Sequence, residues 1–114
     1  LHPADASSAG HTYWKEVCKE GHSAGLVSVI FKAEYDLTAI RKFCDSLNLF
    51  KLGFSWGGPV SLVMLYNLKE MRELQHTHLQ QGLLVRFCIG LEHPNDLIQD
   101  IENALKQMNT QQLE

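Results

Sequence analysis

The segment from Leu83 to Ile89 constrains the fold more than any other stretch, because it is apolar throughout except for Arg86 at its centre. A run this short and this apolar reads as a strand whose side chains alternate between two faces. Val85, Phe87 and Ile89 then share one face, and Leu84, Arg86 and Cys88 share the other. Such a strand needs partner strands beside it and a layer over its apolar face.

The rest of the chain can supply both. Leu26 to Lys32 is rich in β-branched and aromatic residues, with Val27, Val29 and Phe31 on one face as the expected core side. Leu49 to Ser55 alternates, so Phe50, Leu52 and Phe54 should point one way and Lys51, Gly53 and Ser55 the other. That strand would deliver Ser55 onto the non-core face at its end. Gly57-Gly58-Pro59 forces a sharp bend at Trp56, and Val60 to Tyr66 is an apolar run of strand length.

Helical spacing recurs between these strands. Thr12 to Lys19 puts Tyr13, Trp14 and Val17 on one side before the Gly21 to Gly25 stretch breaks it. Asp36 can cap a helix whose Leu37, Ile40, Cys44 and Leu47 form one stripe. Pro94 suits the first position of another, with Leu97, Ile98, Ile101, Leu105 and Met108 against the sheet. The polar segment Lys69 to Gln81, with Met71, Leu74 and Leu79, predicts a helical turn and then a loop, and Asn109 to Glu114 should fray. The order helix, strand, helix, strand, strand, strand, helix predicts the α+β class: an antiparallel or mixed sheet of about four strands, with helices packed on one face.

Composition sets the outer bounds. A chain of 114 residues, 45% apolar and 20% charged, has material for a core and suits one domain over residues 1–114. Ten Lys and Arg against thirteen Asp and Glu leave a formal charge of -3 and no basic block, so nucleic acid is not an expected partner. The apolar stretches fall far short of the ~20 residues needed to cross a bilayer, which predicts no membrane span. The opening Leu1-His2-Pro3 has neither an initiator Met nor a signal-peptide layout, so a piece of a longer protein is expected. Cys18, Cys44 and Cys88 are odd in number and far apart, which fits reduced thiols in the cytoplasm.

Arg86 is the first candidate for chemistry. A cation inside an apolar strand is costly unless paired, and its planar fork binds a carboxylate through two parallel bonds. On spacing alone the favoured readings are an Asp or Glu of this chain as the partner, or a side chain at a solvent-facing edge, ahead of a ligand. Ser55-Trp56-Gly57-Gly58 couples a hydroxyl and an indole donor to glycines that permit close approach, but a turn with a packed aromatic has the same pattern. His76 and His78 have no Cys or carboxylate at metal-ligand spacing, so they read as loop histidines, as do His2, His11, His22 and His93. No metal site is expected. Met64, Met71 and Met108 read as core fillers, and Glu92, Asp96, Asp100 and Glu102 as a solvated acidic face. No hydrolase elbow, Walker loop or dinucleotide fingerprint occurs.

Taken in order, the motifs are more specific. His2-Pro3, Trp14-Lys15, Gly25 to Val29, Leu49-Phe50, Gly53 to Gly58 with Ser61-Leu62, and Val85 to Glu92 leading through Asp96-Leu97-Ile98 resemble the C-terminal domain of the Cys/Met-metabolism family of pyridoxal-phosphate (PLP) enzymes. Within it, Ser-Trp-Gly-Gly resembles the cystathionine β-lyase branch, whereas γ-synthases and γ-lyases tend to have Ser-Leu-Gly-Gly. The resemblance implies that Arg86 binds the α-carboxylate of an amino-acid substrate such as cystathionine, with Trp56 beside it and Ser55 near the cofactor-binding lysine. It also implies that the lysine, the phosphate cup and the other cofactor contacts belong to a large domain absent from this chain. The fragment would then hold no catalytic or cofactor-binding residue, be inactive alone, and belong to a homo-oligomeric parent. Two positions depart from the family pattern. Pro59-Val60 stands where a Glu is usual at the second position, which should alter the turn, and His93 replaces a capping Asp.

Overall fold

The computed structural model describes residues 2–71 and 83–110. Helix α1 (His11–Val17) leads to strand β1 (Leu26–Ile30), helix α2 (Leu37–Ser46) and the short strand β2 (Lys51–Leu52). Strand β3 (Leu62–Tyr66), helix α3 (Leu68–Met71), strand β4 (Leu84–Cys88) and helix α4 (Pro94–Thr110) follow. The sheet runs β1-β4-β3-β2, with β4 antiparallel to both neighbours and β2 parallel to β3. It is a mixed four-stranded sheet, and the class is α+β.

Register assigns the two faces. Val27, Phe87 and Val63 lie side by side across three strands, as do Val29, Val85 and Leu65. This face meets the helices: Val63, Val85, Ile40 and Ala104 are fully buried, with Phe43, Phe50, Leu97 and Met108 around them. Phe50 and Phe43 both meet Phe87 edge-on, at ring separations of 5.3 and 6.2 Å. On the opposite face Leu26, Cys88 and Leu62 align, then Ser28, Arg86 and Met64, then Ile30, Leu84 and Tyr66.

The helices form where their spacing predicts. The Asp36 side chain accepts the Ala39 N–H at 2.8 Å and so caps α2. The buried stripe adds Phe43, which the predicted set omitted. In α4 the helix includes Asn109, expected to fray, because Met108 is anchored in the core at 3% exposure.

Several expectations fail for identifiable reasons. β2 stops at Leu52 rather than Ser55, with only the Gly53 N–H extending the ladder, to the Val63 carbonyl at 3.3 Å. As an edge strand it has one neighbour, so Phe50 alone is buried while Leu52 and Phe54 are 64% and 71% exposed. Ile98 turns outward from α4, and Asp100 takes the inward position. Met64 lies on the non-core face. Helix α1 buries none of its residues; instead His11 stacks on Trp14, whose indole N–H donates to the Ser23 hydroxyl. His11 is therefore a ring-stacking residue rather than a loop histidine. The expected loop after Met71, with Leu74, His76, His78 and Leu79, and the tail beyond Thr110 lie outside the described residues.

Candidate anion-binding site around Arg86

Arg86 sits on the central strand β4, on the face away from the helices, between Ser28 and Met64. Its Nη2 donates to the Phe54 carbonyl at 2.6 Å, and its guanidinium carbon lies 5.7 Å from the centre of the Tyr66 ring. No carboxylate among the described residues pairs with it. Among the described residues a backbone carbonyl rather than an ion pair holds this cation, and it takes one of the five N–H donors of the guanidinium.

The segment after β2 forms the second wall. Gly57 has φ +77°, a left-handed conformation that a side chain would strain, and its N–H points at the buried Cys88 sulfur at 3.3 Å. The Phe54 carbonyl and the Gly57 N–H therefore hold Ser55 and Trp56 beside β4. Ser55 lies in this loop rather than at a strand end, and Trp56 is 67% exposed rather than packed. The fold brings the Ser55-Trp56 backbone to Arg86, but neither side chain hydrogen-bonds to the guanidinium.

The far side of the loop is tied down by residues that periodicity misassigns. The Ser61 N–H and hydroxyl donate to the two oxygens of Glu92, at 2.9 and 2.7 Å, and the Ser61 hydroxyl accepts the Gly90 N–H at 2.8 Å. The backbone N–H of Ser61, and then its hydroxyl, hold the Glu92 carboxyl below the usual carboxylate range. Glu92 and Asp100 are thus not a solvated acidic face. Asp100 accepts the N–H groups of Asn48, Leu49 and Phe50, at 2.8, 2.8 and 3.3 Å, and fixes the entry to β2.

The two family departures are accommodated. Pro59 contributes only its carbonyl, which accepts the Leu91 N–H at 2.8 Å, and Val60 is a surface residue. His93 still caps α4, its Nδ1 accepting the Asn95 N–H at 3.2 Å. An aldimine-forming lysine is activated in a desolvated pocket, and the lysines among the described residues are exposed apart from Lys42, which is half-buried on α2.

The fold agrees with the family comparison. The family model for Cys/Met metabolism PLP-dependent enzymes matches residues 1–106, and the chain belongs to that family. A cystathionine beta-lyase of Bordetella avium is 40% identical over 104 residues, covering 91% of this chain and 25% of its own length. An L-alanine/L-glutamate racemase of Wolbachia pipientis wMel is 31% identical over 108 residues, covering 95% and 26%. The solved structure of apo CalE6, a methionine gamma lyase from Micromonospora echinospora, superposes with a TM-score of 0.61 at 26% identity, covering 90% of this chain and 25% of that one. The chain therefore spans about a quarter of the length of the curated relatives it matches.

Proposed function

We propose that this chain is the C-terminal, substrate-carboxylate-binding domain of a cytoplasmic, homo-oligomeric PLP-dependent cystathionine β-lyase. The observation that carries the reading is the guanidinium of Arg86, which has no carboxylate partner among the described residues and is held beside the Ser55-Trp56 loop by a backbone carbonyl. Arg86 binds the α-carboxylate bidentately and so orients the substrate. Trp56 and Ser55 flank it. The cofactor acts as the electron sink and is held by a large domain of the same polypeptide. The reaction consumes cystathionine and water and yields homocysteine, pyruvate and ammonia. By itself the chain is inert.

The racemase relative supports a second reading in which the same carboxylate site serves inversion at Cα. Assay of the full reading frame with L-cystathionine and, separately, with L-alanine separates the possibilities. Homocysteine with pyruvate supports the β-lyase; cysteine with 2-oxobutyrate indicates γ-cleavage; and inversion of alanine without thiol release indicates a racemase. In the active enzyme Arg86→Ala should cost on the order of 2–5 kcal/mol in kcat/KM, and Arg86→Lys should recover only part of it because an ammonium lacks the fork. An unchanged kcat/KM in Arg86→Ala overturns the carboxylate role.

A further inference from the structure

We infer that Tyr66 is a positioning residue for Arg86, its ring serving as the floor on which the guanidinium rests while the Phe54 carbonyl holds one edge. The inference rests on Arg86 being the carboxylate anchor. Tyr66 pairs with Leu84 across the β3–β4 ladder, so it is the diagonal neighbour of Arg86 on the same sheet face. Long side chains reach one another at that spacing. The ring centre lies 5.7 Å from the guanidinium carbon, within the range of cation–π attraction, and the Nη2 bond to Phe54 fixes the fork's second direction.

A free arginine side chain explores many rotamers, and binding a carboxylate would freeze them at that moment. Two supports at right places in the fold remove much of that cost beforehand. Both supports leave donors free: the ring lies under the guanidinium carbon and takes no hydrogen bond from it, and Phe54 takes a single N–H. Tyr66 touches no substrate in this scheme and acts only through Arg86. Its aromatic face is what matters, and its hydroxyl is dispensable.

The test is a mutant cycle in the full-length enzyme with L-cystathionine, together with NMR of this 114-residue chain. Tyr66→Leu should raise KM roughly three- to tenfold, as expected for loss of a cation–π contact, while kcat stays within about twofold. Tyr66→Phe should match the wild type. In an Arg86→Ala background Tyr66→Leu should add nothing, which a merely structural role would not produce. In the NMR spectrum the Arg86 side-chain protons should be shifted upfield by the ring in the wild type and Tyr66→Phe, and not in Tyr66→Leu. Wild-type KM in Tyr66→Leu, equal losses with and without Arg86, or absence of the ring shift overturns the positioning role. If Arg86→Ala leaves KM and kcat unchanged while the ring shift is present, the carboxylate reading fails instead.

Discussion

Glu92 takes both hydrogen bonds that Ser61 can donate, one from its backbone N–H and one from its hydroxyl. Ser61 is fully buried and lies just after the Ser55-Trp56 loop, while Glu92 follows the exit of the Arg86 strand. One carboxylate therefore sets the spacing between the two walls of the candidate site.

That contact makes stability depend on pH. The Glu92 carboxyl is held below its ordinary value, so its contribution is fully present above the unfolded-state pKa and is lost as pH falls through the folded one. Thermal melts between pH 7 and pH 3 should show a decline that is shallower in Glu92→Gln. Parallel declines in the two proteins would show that Glu92 does not carry the effect.

Asp100 anchors the chain entering β2 through three backbone N–H groups. Asp100→Ala should cost about 2–4 kcal/mol in urea denaturation, since it strands donors that are partly or wholly buried. Asp100→Asn keeps one acceptor oxygen and should lose about half as much. Equal stability of Asp100→Ala and wild type would refute the anchor.

Gly90 packs against the loop backbone with no room for a side chain. A Cβ there would lie 2.6 Å from the Ser61 nitrogen and 2.7 Å from the Val60 carbonyl carbon, and backbone cannot rotate out of the way. Gly90→Ala should destabilise by about 1–3 kcal/mol. It should also weaken the Gly90 N–H bond to Ser61, visible as faster amide exchange at Gly90.

The three thiols should separate by reactivity. Burial, with a smaller effect from Asp45, pushes the Cys44 thiol up to about 11, and Cys88 is 3% exposed beneath the Gly57 N–H. Iodoacetamide at pH 8 should label the half-buried Cys18 first, and Cys44 and Cys88 only at the rate of unfolding. Labelling of Cys44 as fast as Cys18 in native protein would contradict the structure.

What was legible in the sequence is what depends on period. Val85 and Phe87 in β4, the Asp36 cap and the Ile40-Cys44-Leu47 stripe follow from spacing within one element, and the structure has them. Asp100 was misread because a carboxylate on a helix looks the same whether it meets water or amides 50 residues away. Leu52 and Phe54 were misread because alternation does not say where an edge strand stops. Arg86 stood out as a cation among apolar residues, but its hydrogen-bond partner among the described residues is a backbone carbonyl, and no side-chain pattern marks one. Tyr66 looked like the end of an apolar strand, and only the ladder register brings it under Arg86.

The strand order also dictates when the protein can fold during synthesis. β1 precedes the other described strands in sequence, yet its sole partner among them is β4, the last of the four to leave the ribosome. None of the Leu26–Cys88 ladder can close until nearly the whole described chain has emerged. Closing it also carries the entropy of a loop of some 60 residues, a cost that grows slowly with length but slows formation. Until then β1 leaves apolar Leu26, Val27, Val29 and Ile30 unpaired, so this segment's window of exposure to chaperones and to misassembly is set by the distance in sequence between β1 and β4.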